Sequence, residues 1–179
     1  LVVSSSPLSR EIDTVKQLEE KGAAAIVMWS LFEEQLQFEA NELNHFLEHG
    51  TESFAEAQSY FPAQEKFHVG PDSYLEHIQK LKASVDIPII ASLNGVSGGG
   101  WVDSAKKMQA AGADALELNV YYIPTDPKLS SLDVEDVYVN VLKSVKQNVS
   151  IPVAVKLSPY FTSVTAIANK LVSAGAEGL

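Results

Sequence analysis

Two short segments carry side chains whose types and spacing could do chemistry. In Ala115-Leu116-Glu117-Leu118-Asn119 apolar and polar residues alternate, so on a strand the leucines share one face while Glu117 and Asn119 share the other. In Val153-Ala154-Val155-Lys156-Leu157 the same alternation sets Ala154 and Lys156 opposite the valines. Polar groups pointing into an interior are costly unless they are paired or meet a ligand. Lys156 and Asn119 lie at the carboxyl ends of neighbouring strands, so one ligand could touch both. A Lys156–Glu117 ion pair that merely fills space is the structural alternative. Serines 4, 5 and 6 close another apolar run and Asn94-Gly95 ends a further one, so each can reach the same mouth, although a Ser-rich turn is as often only a turn.

Two other patterns carry less. His45-Phe46-Leu47-Glu48-His49 has the H-x-x-E-H spacing of some zinc peptidases. In a stretch this rich in Glu it reads as one amphipathic helix, with Phe32, Leu36, Leu43, Phe46 and Leu47 packed down. No metal site is expected. Ser97-Gly98-Gly99-Gly100 enters a helix and could cradle phosphate, but it reads first as a connector. The chain has no cysteine, which removes disulfides, thiolate metal sites and a catalytic thiol.

The elements that must position these residues announce themselves by repetition. Gly22-Ala23-Ala24, Gly112-Ala113-Asp114 and Gly175-Ala176-Glu177 each precede an apolar run. Val85-Asp86-Ile87-Pro88 and Val149-Ser150-Ile151-Pro152 alternate with them. A Gly suits the left-handed stop of a helix, and a Pro suits the first residue of a strand. The intervals 175 − 112 = 63 and 149 − 85 = 64 give two βα units per period. Strands are expected near 1–6, 23–29, 87–93, 114–120 and 151–157, with a sixth starting at 176. Helices are expected near 9–21, 72–84, 100–111, 133–147 and 162–174, with Ser9, Asp72, Asp133 and Thr162 at or near their starts. This is an α/β chain, a (β/α)₈ TIM barrel truncated to about five βα units plus the start of a sixth strand. Residues 1–179 form one partial barrel domain with an acidic helical insertion at about 33–70. The chain thus reads as a fragment.

Composition narrows the partners. Thirteen Lys+Arg against 23 Asp+Glu leave a formal net charge of −10 and a pI near 4.8. Such a surface repels phosphate backbones and anionic lipid, so neither nucleic acid nor a membrane is expected. Apolar runs are strand-sized, and no leader segment is visible. A cytoplasmic protein acting on a small molecule is the expectation, with a homodimer as its assembly.

Taken together, Leu118-Asn119-Val120, Val155-Lys156-Leu157-Ser158-Pro159-Tyr160-Phe161 and Pro71-Asp72-Ser73-Tyr74-Leu75 resemble the dihydroorotate dehydrogenases, most of all the class 1 branch and its dihydroorotate dehydrogenase-like relatives. The resemblance implies a (β/α)₈ enzyme of pyrimidine biosynthesis that uses FMN to oxidise a C–C single bond. It implies flavin contacts at Ser4, Ser5, Ser30, Asn94, Asn119 and Lys156, and substrate contacts at His68 and Asn119. His68 stands where the family carries an asparagine. Trp29 stands where the family has a lysine, and Tyr121-Tyr122-Ile123-Pro124 stands where its Cys or Ser base would lie, so the catalytic base is unassigned. Two other readings stay open. One is a flavin-free lyase or aldolase using Lys156 as a Schiff-base amine, and the other is a degenerate barrel that only binds a ligand.

Overall fold

The computed structural model describes residues 1–32, 71–94 and 98–179. Within them five parallel strands, β1 (Val2–Val3), β2 (Ala25–Phe32), β3 (Ile89–Asn94), β4 (Ala115–Asn119) and β5 (Val153–Lys156), pair in chain order as one sheet. Five helices accompany them: α1 (Ile12–Glu20), α2 (Pro71–Lys82), α3 (Gly98–Ala110), α4 (Ser131–Lys146) and α5 (Val164–Ser173). Sequential parallel pairing with a helix between strands is the plan of a (β/α)₈ barrel, of which these are five units. A further strand begins as expected, with Val155 N–H donating to Gly178 O at 3.0 Å and an isolated bridge between Ala154 and Gly178. The insertion expected at 33–70 lies outside the described residues.

Alternation along the strands sorts two faces. Ile89, Ala91 and Leu93 of β3, Leu116 and Leu118 of β4, and Val153 and Val155 of β5 are buried. With Leu81, Met108, Leu142 and Leu171 from the helices they form the apolar layer of the fold. The complementary positions, Ser92, Glu117, Asn119, Ala154 and Lys156, face the other side.

Several expected boundaries move, each for a local reason. β1 spans two residues and not six, because Ser6 leads into a 3-10 helix at Pro7–Arg10. Ser9 does not cap α1: its Oγ donates to Ser6 O at 2.9 Å and accepts the Trp29 N–H at 2.8 Å, while Glu11 takes the cap position without a side-chain bond. Asp133 is the third helical residue of a capping box whose N-cap is Ser130. Ser163, not Thr162, caps α5 by accepting from Ala166 N–H. Gly22, Gly112 and Gly175 stop their helices at φ +89°, +100° and +107°, as their positions before the strands require.

The 63–64-residue period has a physical counterpart at the amino ends of the strands. Asp114 accepts from Ile89 N–H at 2.7 Å and from Lys82 Nζ at 2.8 Å. Two units on, Glu177 accepts from Val153 N–H at 3.0 Å and from Lys146 Nζ at 2.7 Å. Glu19 and Gln109 play matching parts, accepting the N–H groups of Asp86 and Ile87 and of Ser150 and Ile151. A strand that begins after a proline leaves N–H groups without ladder partners, and these side chains supply them.

Between β2 and β3 the register slips. Val27 lies opposite Ile90 but Ser30 lies opposite Ser92, so Met28 and Trp29 share the single partner Ala91. The bulge interrupts the ladder, and the Tyr74 hydroxyl from α2 bridges the gap. It donates to Trp29 O at 3.1 Å and accepts the Ser92 N–H at 3.1 Å. Burial pushes the Tyr74 hydroxyl pKa up, which keeps it a donor at all ordinary pH.

Tyr74→Phe is therefore expected to lower the stability of the complete protein by about 2–6 kcal/mol, since two enclosed backbone groups lose their partner at roughly 1–3 kcal/mol each. A denaturant titration checks it, and an unchanged midpoint would remove the bridging role. At the other end of the sheet, the Lys146 hydrogen bond and then the Val153 N–H hold the Glu177 carboxyl below its usual 4.5. A lowered folded pKa makes this contribution complete above that value and lost as pH falls through the folded one. Glu177→Gln should accordingly flatten the acid side of a melting-temperature profile.

Candidate active site

At the carboxyl half of the sheet a line of polar side chains crosses all five strands. Ser5, just past β1, lies 3.4 Å from Ser30 Oγ of β2, and Ser30 Oγ lies 2.8 Å from Ser92 Oγ of β3. Ser92 Oγ donates to Glu117 Oε1 of β4 at 3.0 Å, and Lys156 Nζ of β5 donates to the same oxygen at 3.0 Å. The pairing register explains the line, because Ser30, Ser92, Glu117 and Ala154 are successive cross-strand partners. Lys156 reaches it from two residues further along β5.

The directions of these bonds follow from one fact, that a carboxylate only accepts. Ser92 spends its hydrogen on Glu117, so Ser30 donates to Ser92 and Ser5 donates to Ser30. Ser92 is fully buried, the Glu117 side chain is 15% exposed and the Lys156 side chain 41%. Charge and accessibility thus rise together toward β5. Nearer the strand ends, Asn119 lies opposite Lys156, and Asn94 lies one residue past the Leu93–Leu118 pairing, both partly buried.

Of the residues singled out from sequence, the fold brings Ser5, Ser30, Glu117 and Lys156 into one hydrogen-bonded group and sets Asn94 and Asn119 beside it. Ser4 is exposed and stands outside it. Ser6 Oγ is buried without a hydrogen-bond partner among the described residues. His68, the H-x-x-E-H pattern and Gly95 through Ser97 lie outside the described residues. Among those described, no group of three His, Asp or Glu is placed to hold a metal.

Sequence reasoning missed Ser92. Its signal was present, a lone hydroxyl in Ile89-Ile90-Ala91-Ser92-Leu93, but a serine among apolar residues is unremarkable until its neighbours across the sheet are known. Trp29 is the opposite case. The bulge takes it out of the inward set and packs it on Tyr74 and His77, each with ring centroids 5.0 Å away, beneath Arg10 at 5.4 Å.

Beyond β4 the loop carries Tyr121 and Tyr122, 59% and 42% exposed, where a proton acceptor was sought. This loop and the β5–α5 loop border a cavity of about 420 Å³. Its floor is Tyr138 edge-on to Phe161 at 5.1 Å, and Glu135 in its wall pairs with Lys170 at 2.6 Å. No helix among the described residues is long and apolar enough to cross a membrane.

The geometry can be set beside known proteins. Solved structures share the fold: a phosphonopyruvate hydrolase complexed with oxalate and Mg²⁺ superposes with a TM-score of 0.56 at 14% identity, over 98% of this chain and 54% of that one. The N-acetylneuraminate lyase of Mycoplasma synoviae gives 0.56 at 11% identity, over 99% and 52%. At such identities the likeness concerns architecture alone. In sequence, "dihydroorotate dehydrogenase A (fumarate)" of Lacticaseibacillus paracasei is 38% identical over 104 residues, 52% of this chain and 33% of that protein. "Dihydroorotate dehydrogenase B (NAD(+)), catalytic subunit" of Methanocaldococcus jannaschii is 35% identical over 114 residues, 62% and 37% respectively. The match spans about a third of the length of these curated relatives. The family model for dihydroorotate dehydrogenase matches residues 68–179, which contain Tyr74, Ser92, Glu117, Asn119 and Lys156. On that match the chain belongs to the dihydroorotate dehydrogenase family.

Proposed function

We propose that the complete protein is an FMN-dependent oxidoreductase that removes hydrogen from a C–C single bond of dihydroorotate or a related small molecule. The observation that carries this reading is Lys156, an ion-paired but accessible ammonium at the carboxyl edge of β5, inside the segment that matches the family. The same edge is where (β/α)₈ enzymes assemble their sites.

The residues present fit a flavin. Lys156 and Asn119 offer donors at adjacent strand ends, and Ser5 and Ser30, their hydrogens committed toward Glu117, offer lone pairs. Ser6 Oγ, buried and unpartnered among the described residues, has capacity for one more polar contact. Lys156, Asn119, Asn94, Ser5 and Ser30 would hold the ring, and exposed Ser4 would complete the edge beside them. When bound, FMN supplies the acceptor for a hydride. The protein's own part is to place a fixed positive charge where negative charge accumulates, in a site walled by the sheet. His68 and Asn119 would contact the substrate.

The proton removed alongside the hydride needs an acceptor. Tyr121 and Tyr122 stand in the loop where the family keeps a Cys or Ser, and a phenol is a poor base near neutral pH. Substrate choice consequently departs from that of ordinary members. A Schiff-base lyase is less well supported, because amine attack needs a neutral Lys156 while its Nζ donates to a carboxylate.

Dihydroorotate is expected to reduce the flavin of the complete protein about 10²- to 10⁴-fold more slowly than an ordinary family member, the usual worth of a general base. Stopped-flow absorbance measures this, and an ordinary rate would name Tyr121 or Tyr122 as the base. Lys156→Met keeps the stem and removes the charge. It should lower the flavin potential, each 30 mV corresponding to about 1.4 kcal/mol for a two-electron couple. An unchanged potential with a large fall in melting temperature would leave Lys156 as a structural partner of Glu117 only.

A further inference from the structure

Glu117 poses an electrostatic puzzle if Lys156 serves as the site's positive charge. A carboxylate 3.0 Å away offsets the very field the lysine provides. Its presence therefore calls for a geometric reason, and the surroundings supply one. Lysine has a long stem with many rotamers, and at the end of a strand it can extend outward into water. Here it bends back instead. The strand partner of Lys156 is Asn119, yet its Nζ bonds Glu117, whose strand partner is Ala154.

The sequence makes room for that bend. Ala154 is the smallest side chain available on this face of β5, and on its far side Gly178 brings only backbone. A Cβ on Gly178 would lie 3.0 Å from Ala154 Cβ, closer than side chains ordinarily approach, so backbone and a methyl group meet tightly here. Glu117 is itself anchored. Its Oε1 is held by Ser92 Oγ, and the Ser92 backbone N–H is held by the Tyr74 hydroxyl. Rigidity passes from the helix-borne tyrosine through serine and carboxylate to the ammonium. One of the three Nζ hydrogens is spent on Glu117, which leaves two for a ligand.

We propose that Glu117 is a positioning residue, one that holds Lys156 folded back over Ala154 so that its charge stays at a fixed place in the mouth of the barrel. The proposal rests on the flavin reading for its consequence, but not for the contact itself. Charge alone and position make opposite forecasts. Deleting a carboxylate near a site that gains negative charge favours reduction by charge alone, whereas releasing Lys156 disfavours it.

The test uses the complete protein and a double-mutant cycle. Glu117→Met removes both acceptor oxygens at similar length, and Glu117→Gln keeps an acceptor without the charge. Position predicts that Glu117→Met shifts the flavin reduction equilibrium at least tenfold toward the oxidised form, about 30 mV. Glu117→Gln should fall between it and wild type. In a Lys156→Met background the Glu117→Met shift should shrink to less than twofold. A shift toward the reduced form, or an equal shift in both backgrounds, overturns the proposal.

A second readout needs no flavin. Limiting acetic anhydride should label Lys156 several-fold faster in Glu117→Met than in wild type, with exposed Lys106 as the internal reference. If the wild-type protein binds no flavin, the functional reading fails and this labelling alone decides. Unchanged Lys156 labelling rejects the positioning role. Should Glu117→Met not fold, Glu117→Gln and Ser92→Ala take its place in both measurements. Each is expected to show the same signs at smaller size, and no change in either variant overturns the proposal.

Discussion

The hydroxyl of Tyr74 is the point on which the arrangement turns. A parallel ladder with an extra residue in one strand leaves a carbonyl and an N–H facing a gap, and an enclosed gap of that kind is costly. By filling it, Tyr74 makes the slip between β2 and β3 affordable, and the slip decides which way the next side chains look. With it, Trp29 leaves the inward set and Ser30 enters it opposite Ser92. Without it, alternation would put Trp29 into the barrel and Ser30 among the helices. The polar line from Ser5 to Lys156 exists because of a backbone irregularity and one phenol.

The inward face separates two tasks that usually conflict. Hydroxyls hydrogen-bonded in one direction satisfy the buried side, where Ser92 has no water to turn to. The single ion pair sits toward the open side, where the cost of desolvating Lys156 is smallest. The outward face needs no such compromise, being apolar residues such as Ile26, Met28, Ala91 and Leu116 against the helices. A polar interior of this kind contributes little net stability, so the apolar layer and the strand-start bonds hold the sheet.

Much of this was legible in the residues. Two-residue alternation identified the inward positions of β4 and β5, and the Gly and Pro punctuation located β2 through β5 to within a few residues, because both signals are local. The short β1 was not legible, since Ser4-Ser5-Ser6 continues a strand or enters a turn with equal ease until Ser9 finds the Trp29 N–H. Helix starts were misplaced by up to three residues for the same reason, as several Ser, Thr and Asp residues compete for each cap. The bulge and Ser92 were invisible because they depend on what lies across the sheet, 62 residues away for Ser30 and Ser92. Trp29 accordingly looked like a replaced site residue when it is a packing residue of the outer layer.

The strand-start carboxylates have a bearing on how one unit of the sheet is joined to its neighbours. Asp114 serves a strand that begins 25 residues before it, and Glu177 one that begins 24 before it, each with the last lysine of the helix that precedes that strand. The bonds of Asp114 and Glu177 each close within about 32 residues, the length of one βα unit. Such a stretch carries its own means of joining the next, whatever copy of itself that next one is. These joining bonds lie at the end of the sheet opposite the polar line, so a side chain of that line can change without disturbing how one unit docks on the next.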